Sequence, residues 1–328
     1  SIRVAIGELF DMEAGEVTTG KLVTALRKLG FDVIFDTDFS ADLTVMEEAS
    51  ELVDRIENNK TLPILTSCCP AWVRFIEMNY PDMLDIPSSC KSPQIMMGSM
   101  VKTYYANKTG IPAKDIVMVS VMPCTAKKAE AARSELGTKD IRDVDYVLST
   151  RELGRMIKLY GIDFNGLEEG KFDKLMGESS GAGTIFGTTG GVIEAAIRTA
   201  SEWLTGKELE KIEFEELRGL KGIRGAQVKI GDLNLKVGIA HGLGNARKLL
   251  DGIRSKKYDF DAIEIMACPG GCIGGGGQPY HHGHEEILLK RQRALYDIDK
   301  NKKFRKAHEN PMIKEIYETY LGKPYGER

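Results

Sequence analysis

The stretch FDAIEIMACPGGCIGGGGQP, residues 260–279, decides the fold. Its first part, Phe260–Ile265, is a short apolar run of the kind that forms a buried strand. Its second part sets Cys268 and Cys272 just past the strand's end, among glycines whose bare backbones can approach a ligand closely. Two further segments share this layout. Leu62–Leu65 runs into TSCCPAW (66–72), which carries Cys68 and Cys69; Ile116–Val121 runs into MPCTAKKAE (122–130), which carries Cys124. Ligands of open α/β sheets collect at the carboxyl ends of strands. Five thiols from distant segments can therefore meet at one place.

Working outward, Ile2–Ile6, Asp32–Phe35, Tyr146–Ser149 and Lys236–Ala240 also read as buried strands. Helical patterns lie between them. Thr18–Leu29 stops at Gly30, a C-terminal cap, and Thr44 with Glu47 forms a capping box opening a helix to about Asn58. Further helices are expected at 71–79, 92–107, 151–160, 191–204, 244–254 and 311–320, and Gly231–Asp232 marks a hairpin turn. The alternation predicts an α/β fold of two lobes, with mainly parallel sheets flanked by helices and an active site buried between the lobes. The expected division is 1–150 and 151–290, followed by a helical C-terminal segment, 291–328.

The chain has 328 residues, 42% hydrophobic and 28% charged, enough for a sizeable core. A formal net charge of −3 gives no basic field for nucleic acid. No apolar stretch approaches the ~20 residues needed to span a bilayer, and SIRVAIGELF lacks the pattern of a signal peptide. A cytoplasmic protein with no membrane or nucleic-acid partner is expected.

In such a chain six cysteines do not suggest a disulfide framework. Three readings stay open on chemistry alone: a metal or cluster site, buried thiols acting as small hydrophobes, and a thiol redox centre. Zinc usually draws on closely spaced cysteine pairs, and only Cys268-x3-Cys272 comes near that. The ferredoxin run C-x2-C-x2-C is absent. One [4Fe–4S] cluster needs four thiolates, and the strand ends supply five.

TSCCP, MPC and the C-x3-C segment together resemble, in order and spacing, the three signature motifs of [FeFe]-hydrogenases. STRELG (149–154), SGAGTIFGTTGG (180–191) and HENPMIKEIYETYLGKP (308–324) extend the likeness over nearly the whole chain. The resemblance implies interconversion of protons, electrons and hydrogen at an H-cluster. That group is a [4Fe–4S] cube bridged by a cysteine sulfur to a two-iron unit bearing CO, cyanide and an azadithiolate. Carried over residue by residue, Cys69, Cys124, Cys268 and Cys272 bind the cube, and Cys272 also bridges. Cys68 exchanges protons with the bridging amine, and Lys127 donates to a cyanide. Ser1, Gln94, Met122, Phe186 and Met266 line the cofactor.

The same resemblance implies an outward proton relay through Cys68, Glu48, Ser88, Glu51 and Arg55. Read without it, Glu48, Glu51 and Arg55 are an i, i+3, i+7 stripe of the kind that forms a solvated salt-bridge face. Glu48, nearest the apolar face, is expected to be the most buried member. Partners implied are a ferredoxin or an upstream or partner iron–sulfur domain, and maturation proteins for the two-iron unit. Relatives also carry a short strand before the segment matching SIRVAIGELF and a tail beyond GKPYGER, which implies a trimmed catalytic domain.

Other features weigh less. SGAGTIFGTTGG matches no nucleotide fingerprint and is expected to line an anionic cofactor with backbone amides. His281, His282 and His284 read as solvated loop histidines rather than a zinc site. Cys90 lies outside the motifs and reads as a buried thiol. The competing functions are a hydrogen sensor with damped proton transfer, a non-catalytic Nar1-like iron–sulfur assembly protein, and a plain zinc scaffold.

Overall fold

The computed structural model describes residues 1–138 and 140–326. Among the described residues six strands form two sheets: β1 (Ile64–Leu65), β2 (Val119–Met122), β3 (Tyr146–Ser149), β4 (Ile223–Ile230), β5 (Leu233–His241) and β6 (Ala262–Met266). The larger sheet has the order β1-β6-β5-β4, and β2 and β3 make a parallel pair. β1–β6 and β5–β6 are parallel; β4–β5 is the antiparallel hairpin, with Ile230 opposite Leu233 across Gly231–Asp232. The fold is α/β, with mostly parallel strands between helices. β6 is buried throughout, its one charged residue, Glu264, being satisfied by the backbone N–H groups of Gly190, Val192 and Ile193.

The helix Thr37–Glu57 is the longest in the structure. It opens seven residues before the expected Thr44–Glu47 box, because Asp36 caps it: Asp36 Oδ1 accepts from Asp38 N at 3.1 Å. Thr44 lies inside the helix and bonds Ser40 O instead. The blind reading of Glu48, Glu51 and Arg55 as a solvated face is overturned, since all three are buried. The helix packs against the helices Pro93–Met100 and Gly191–Thr205, with Phe39, Val45, Ala49 and Leu52 in the core.

Two expected strands do not form. Ile2–Val4 and Ile6–Phe10 are 3₁₀ turns, with local bonds such as Ala5 N to Ile2 O. Val4, Ala5 and Ile6 are all buried, so consecutive apolar residues here report enclosure on every side rather than a strand. Asp32–Phe35 is extended, but on one flank it meets only the 173–176 segment, through Asp173 N to Ile34 O and Asp36 N to Met176 O. Its other flank faces the central cavity. The helix Thr150–Leu159 follows expectation, with a capping box between Ser149 and Glu152. The helix Glu285–Asn301 crosses residue 290, and β1 joins the sheet built by β4–β6.

Candidate active site

The carboxyl ends of β1, β6 and β2 converge on one cavity of about 240 Å³. Cys68, Cys69, Cys124, Cys268 and Cys272 all line it. The pairing of β1 with β6 brings TSCCP beside the C-x3-C loop, and Ala267 N donates to Cys69 Sγ at 3.4 Å. Two successive left-handed glycines, Gly270 (φ 72°) and Gly271 (φ 92°), turn the chain back so that Cys272 reaches the cavity. A Cβ on Gly271 would lie 2.7 Å from Met266 Sδ. The glycine run after Cys272 then closes onto the third loop. Gly277 N donates to Pro123 O at 2.8 Å, and a Cβ on Gly275 would sit 2.3 Å from the same oxygen. The backbone of this run thus joins Cys272 to Cys124.

The thiols are partly accessible because they face the cavity. Burial pushes the Cys268 thiol up to about 11, with repulsion from Cys69 and Cys124 adding to it. Cys69 and Cys272 move the same way for the same cause, with backbone N–H groups opposing it at Cys69. Four thiolates together therefore need a strongly cationic occupant. Among the described residues no three His, Cys, Asp or Glu side chains gather as they would around one ion. Zinc ligands must close to about 2.3 Å of a single point. Four cysteines spread around a cavity suit a polynuclear iron cluster instead, and this donor set fits the [4Fe–4S] cube.

Ser1, Gln94, Met122, Phe186 and Met266 line the same cavity, as does Lys127. Lys127 Nζ donates to Cys68 O at 3.0 Å and to Glu130 Oε2 at 2.8 Å. Burial opposes its ammonium, but Glu130 outweighs burial and holds its pKa above the ordinary lysine value. Sequence reasoning missed Glu130. Its carboxylate also accepts from Ser92 Oγ and Gln94 Nε2, and Ser120 Oγ in turn donates to Gln94 Oε1. The signal was the i, i+3 spacing of Lys127 and Glu130 in MPCTAKKAE.

Of the relay residues, Ser88, Glu51 and Arg55 form a continuous chain. Ser88 Oγ donates to Glu51 Oε2 at 2.8 Å, and Arg55 Nη2 donates to Glu51 Oε1 at 2.6 Å. Arg55 also bonds the carbonyls of Thr61, Ile86 and Pro87. Glu48 stands apart. Its Oε1 accepts a long bond from Ser67 N at 3.5 Å, and its Oε2 is buried without a partner. Among the described residues no hydrogen bond joins Glu48 to Cys68 or to Ser88. Burial, helped by the nearby Glu51 and Glu264, pushes the Glu48 carboxyl up to about 8. Burial and the Glu48 charge likewise drive the Cys68 thiol well above its ordinary value. Glu51, at 1% exposure against 3% for Glu48, is the most buried relay member. The Ser88–Ser89 turn and Arg55 enclose it, an arrangement helix periodicity does not encode.

SGAGTIFGTTGG also departs from expectation. Gly183, Phe186 and Gly187 do line the cavity. Yet three of its amides serve the protein's own carboxylates: Asp42 accepts from Ser180 N and Gly183 N, and Glu264 accepts from Gly190 N. Glu264 also accepts from Val192 and Ile193 N, just past the stretch.

Cysteines at three parallel-strand ends around one cavity define an iron–sulfur protein of α/β architecture. The chain belongs to the iron-only hydrogenase family: residues 1–276 match the model for the iron only hydrogenase large subunit, C-terminal domain. Residues 285–328 match the iron hydrogenase small subunit. The chain is 56% identical over 334 residues to the NADP-reducing hydrogenase subunit HndD of Solidesulfovibrio fructosivorans, covering 100% of this chain and 57% of that protein. It is 49% identical to iron hydrogenase 1 of Clostridium pasteurianum, over 99% of this chain and 57% of that protein. The chain thus spans little more than half the length of these relatives. A variant of the [FeFe]-hydrogenase HydA1 from Chlamydomonas reinhardtii superimposes with a TM-score of 0.89 at 44% identity, covering 99% of this chain and 89% of that one. Likeness to protein NAR1 of Arabidopsis thaliana is lower, at 34% identity over 93% of this chain and 69% of that protein.

Proposed function

We propose that this chain catalyses 2H⁺ + 2e⁻ ⇌ H₂ at an H-cluster. The observation that carries the reading is the ring of five strand-end thiols around one cavity, with a buried ammonium, Lys127, beside them. Cys69, Cys124, Cys268 and Cys272 would hold the [4Fe–4S] cube, with Cys272 shared with the two-iron unit carrying CO, cyanide and azadithiolate. When bound, that group supplies the electron transfer and the hydrogen chemistry.

The chain's own residues handle the protons. Cys68, kept protonated by its surroundings, passes a proton at Sγ. Glu48, with a carboxyl near 8, can gain and lose a proton close to neutral pH. Ser88, Glu51 and Arg55 carry it outward along their hydrogen bonds. Lys127, fixed by Glu130, offers a positive donor to an anionic ligand. Ser1, Gln94, Met122, Phe186 and Met266 wall the cavity.

The same proposal includes electron exchange with a ferredoxin or an upstream or partner iron–sulfur domain, and installation of the two-iron unit by maturation proteins. No helix among the described residues is long and apolar enough to cross a membrane. A cytoplasmic location belongs to the proposal, and cell fractionation tests it. The central experiment is infrared spectroscopy on matured protein, followed by hydrogen evolution from reduced viologen. CO and cyanide bands with rapid evolution support the enzyme. Bands with negligible turnover would indicate a sensor; iron without such bands would indicate an assembly protein.

A further inference from the structure

Cys90 belongs to none of the three motifs, yet it borders a gap in the relay. Ser88 Oγ gives its proton to Glu51 Oε2 and accepts Cys90 N–H at 3.2 Å; it makes no bond to Glu48. Glu48 Oε2, in a side chain only 3% exposed, has no partner. Cys90 Sγ lies 3.7 Å from Glu51 Oε2, within sulfur hydrogen-bond distance. Glu48 is at the same time the strongest charge acting on that thiol, ahead of Glu51 and Glu47. Ser67 links the two residues, its backbone N 3.5 Å from Glu48 Oε1 and its Oγ donating to the Cys90 carbonyl at 2.8 Å, so Cys90 sits between the Glu48 neighbourhood and Glu51.

The position of Cys90 is fixed by its backbone. Its N–H bonds Ser88 Oγ, and its carbonyl accepts from Ser67 Oγ at 2.8 Å. Glu51 Oε2 already accepts Ser88 Oγ, Ser89 N and Ser89 Oγ, so the S–H adds little to holding that carboxylate. Tyr317, a further titratable neighbour, is engaged with Glu47.

We propose that Cys90 is a proton-carrying member of the outward relay, its thiol passing protons from Glu48 to Glu51 beside Ser88. The inference rests on the hydrogen-turnover reading above. The step balances: the Glu48 carboxylic acid gives its proton to Cys90 Sγ as the Cys90 S–H gives its own to the Glu51 carboxylate. One O–H and one S–H bond break while one S–H and one O–H form. The sulfur stays neutral, and Glu48 is reprotonated from the Cys68 side.

The test uses Cys90→Ala, Cys90→Ser and Glu48→Gln in matured protein, and Cys90→Ala and Glu51→Gln in cofactor-free protein. In Cys90→Ala, turnover is expected to fall about tenfold with unchanged CO and cyanide bands. That is less than the hundredfold or more a sole proton carrier contributes, because Ser88 remains. Cys90→Ser should restore most of the rate. In cofactor-free protein, an infrared S–H band should vanish in Cys90→Ala and shift in Glu51→Gln. The inference is overturned if Cys90→Ala turns over like the parent, if Cys90→Ser is as slow as Cys90→Ala, or if that band ignores Glu51→Gln. If Glu48→Gln is inactive while Cys90→Ala is normal, only the role of Cys90 falls. If both turn over normally with cofactor bound, the relay reading falls with it.

Discussion

Lys127 and Glu130 form a buried ion pair, Nζ to Oε2 at 2.8 Å, with each side chain only 9% exposed. The pair matters because Lys127 has one other partner, the Cys68 carbonyl. Removing one member of a buried pair leaves its partner's charge uncompensated. Glu130→Gln should cost the cofactor-free protein about 3 kcal/mol of stability. In matured protein the loss should shrink, because an anionic occupant returns a counter-charge to Lys127. Denaturant unfolding of both forms measures this. Equal losses in the two would count against an anion beside Lys127.

Glu48 gives a pH signature. Its carboxyl is raised from 4.5 unfolded to about 8 folded. The folded state holds a proton that the unfolded state releases, so stability from this group is present below the unfolded value. It is lost as pH rises through the folded one. Glu48→Gln should therefore be comparable to the parent near pH 5 and gain on it, by a few kcal/mol at most, toward pH 8. Unfolding of cofactor-free protein at both pH values tests the sign. A constant difference across the range would mean that Glu48 does not titrate in this window.

Asp42 ties the glycine-rich stretch to the long helix. It accepts from Ser180 N at 2.7 Å, Ser180 Oγ at 2.5 Å, Gly183 N at 3.1 Å and Asn310 Nδ2 at 3.0 Å. Asp42→Asn would turn one oxygen into a donor facing other donors. A loss of about 2 kcal/mol is expected from the unsatisfied groups, read as a lowered unfolding midpoint. Burial raises the Asp42 carboxyl to about 7, so this group also weakens the fold as pH rises from acid toward neutral.

Gly275 tests the meeting of two loops. A Cβ there would press to 2.3 Å of Pro123 O, whereas one on Gly276 would meet only Thr125 Oγ1 at 3.3 Å. Gly275→Ala should separate Cys272 from Cys124 and lower iron content after cluster reconstitution several-fold. Gly276→Ala should retain most of it. Equal iron in the two variants would contradict the role assigned to that close approach.

Much of the site was legible because its chemistry sits at strand ends, where a short β-branched run and a following cysteine can be read locally. The convergence of Cys68 and Cys69, Cys124, and Cys268 and Cys272 needed only that, whereas the separate role of each thiol came from the resemblance. The run Ile2–Ile6 misled because a stretch whose Val4, Ala5 and Ile6 are enclosed on all sides looks like a strand whatever its backbone does. The order of burial along Glu48, Glu51 and Arg55 was not legible either. It is set by the 86–90 segment lying across the helix, a contact that no periodicity within residues 45–59 records. Glu130 escaped notice for a related reason. Its partners Ser92 and Gln94 lie nearly forty residues away and meet it only after folding.

The pairing of β1 with β6 has a consequence for biosynthesis. The strand that holds the cysteine after β1 in place leaves the ribosome almost 200 residues after that cysteine. On the proposed reading, a nascent chain cannot offer Cys69, Cys124, Cys268 and Cys272 to one cube until it extends past Cys272, so loading of that cube must await the last of the three cysteine segments.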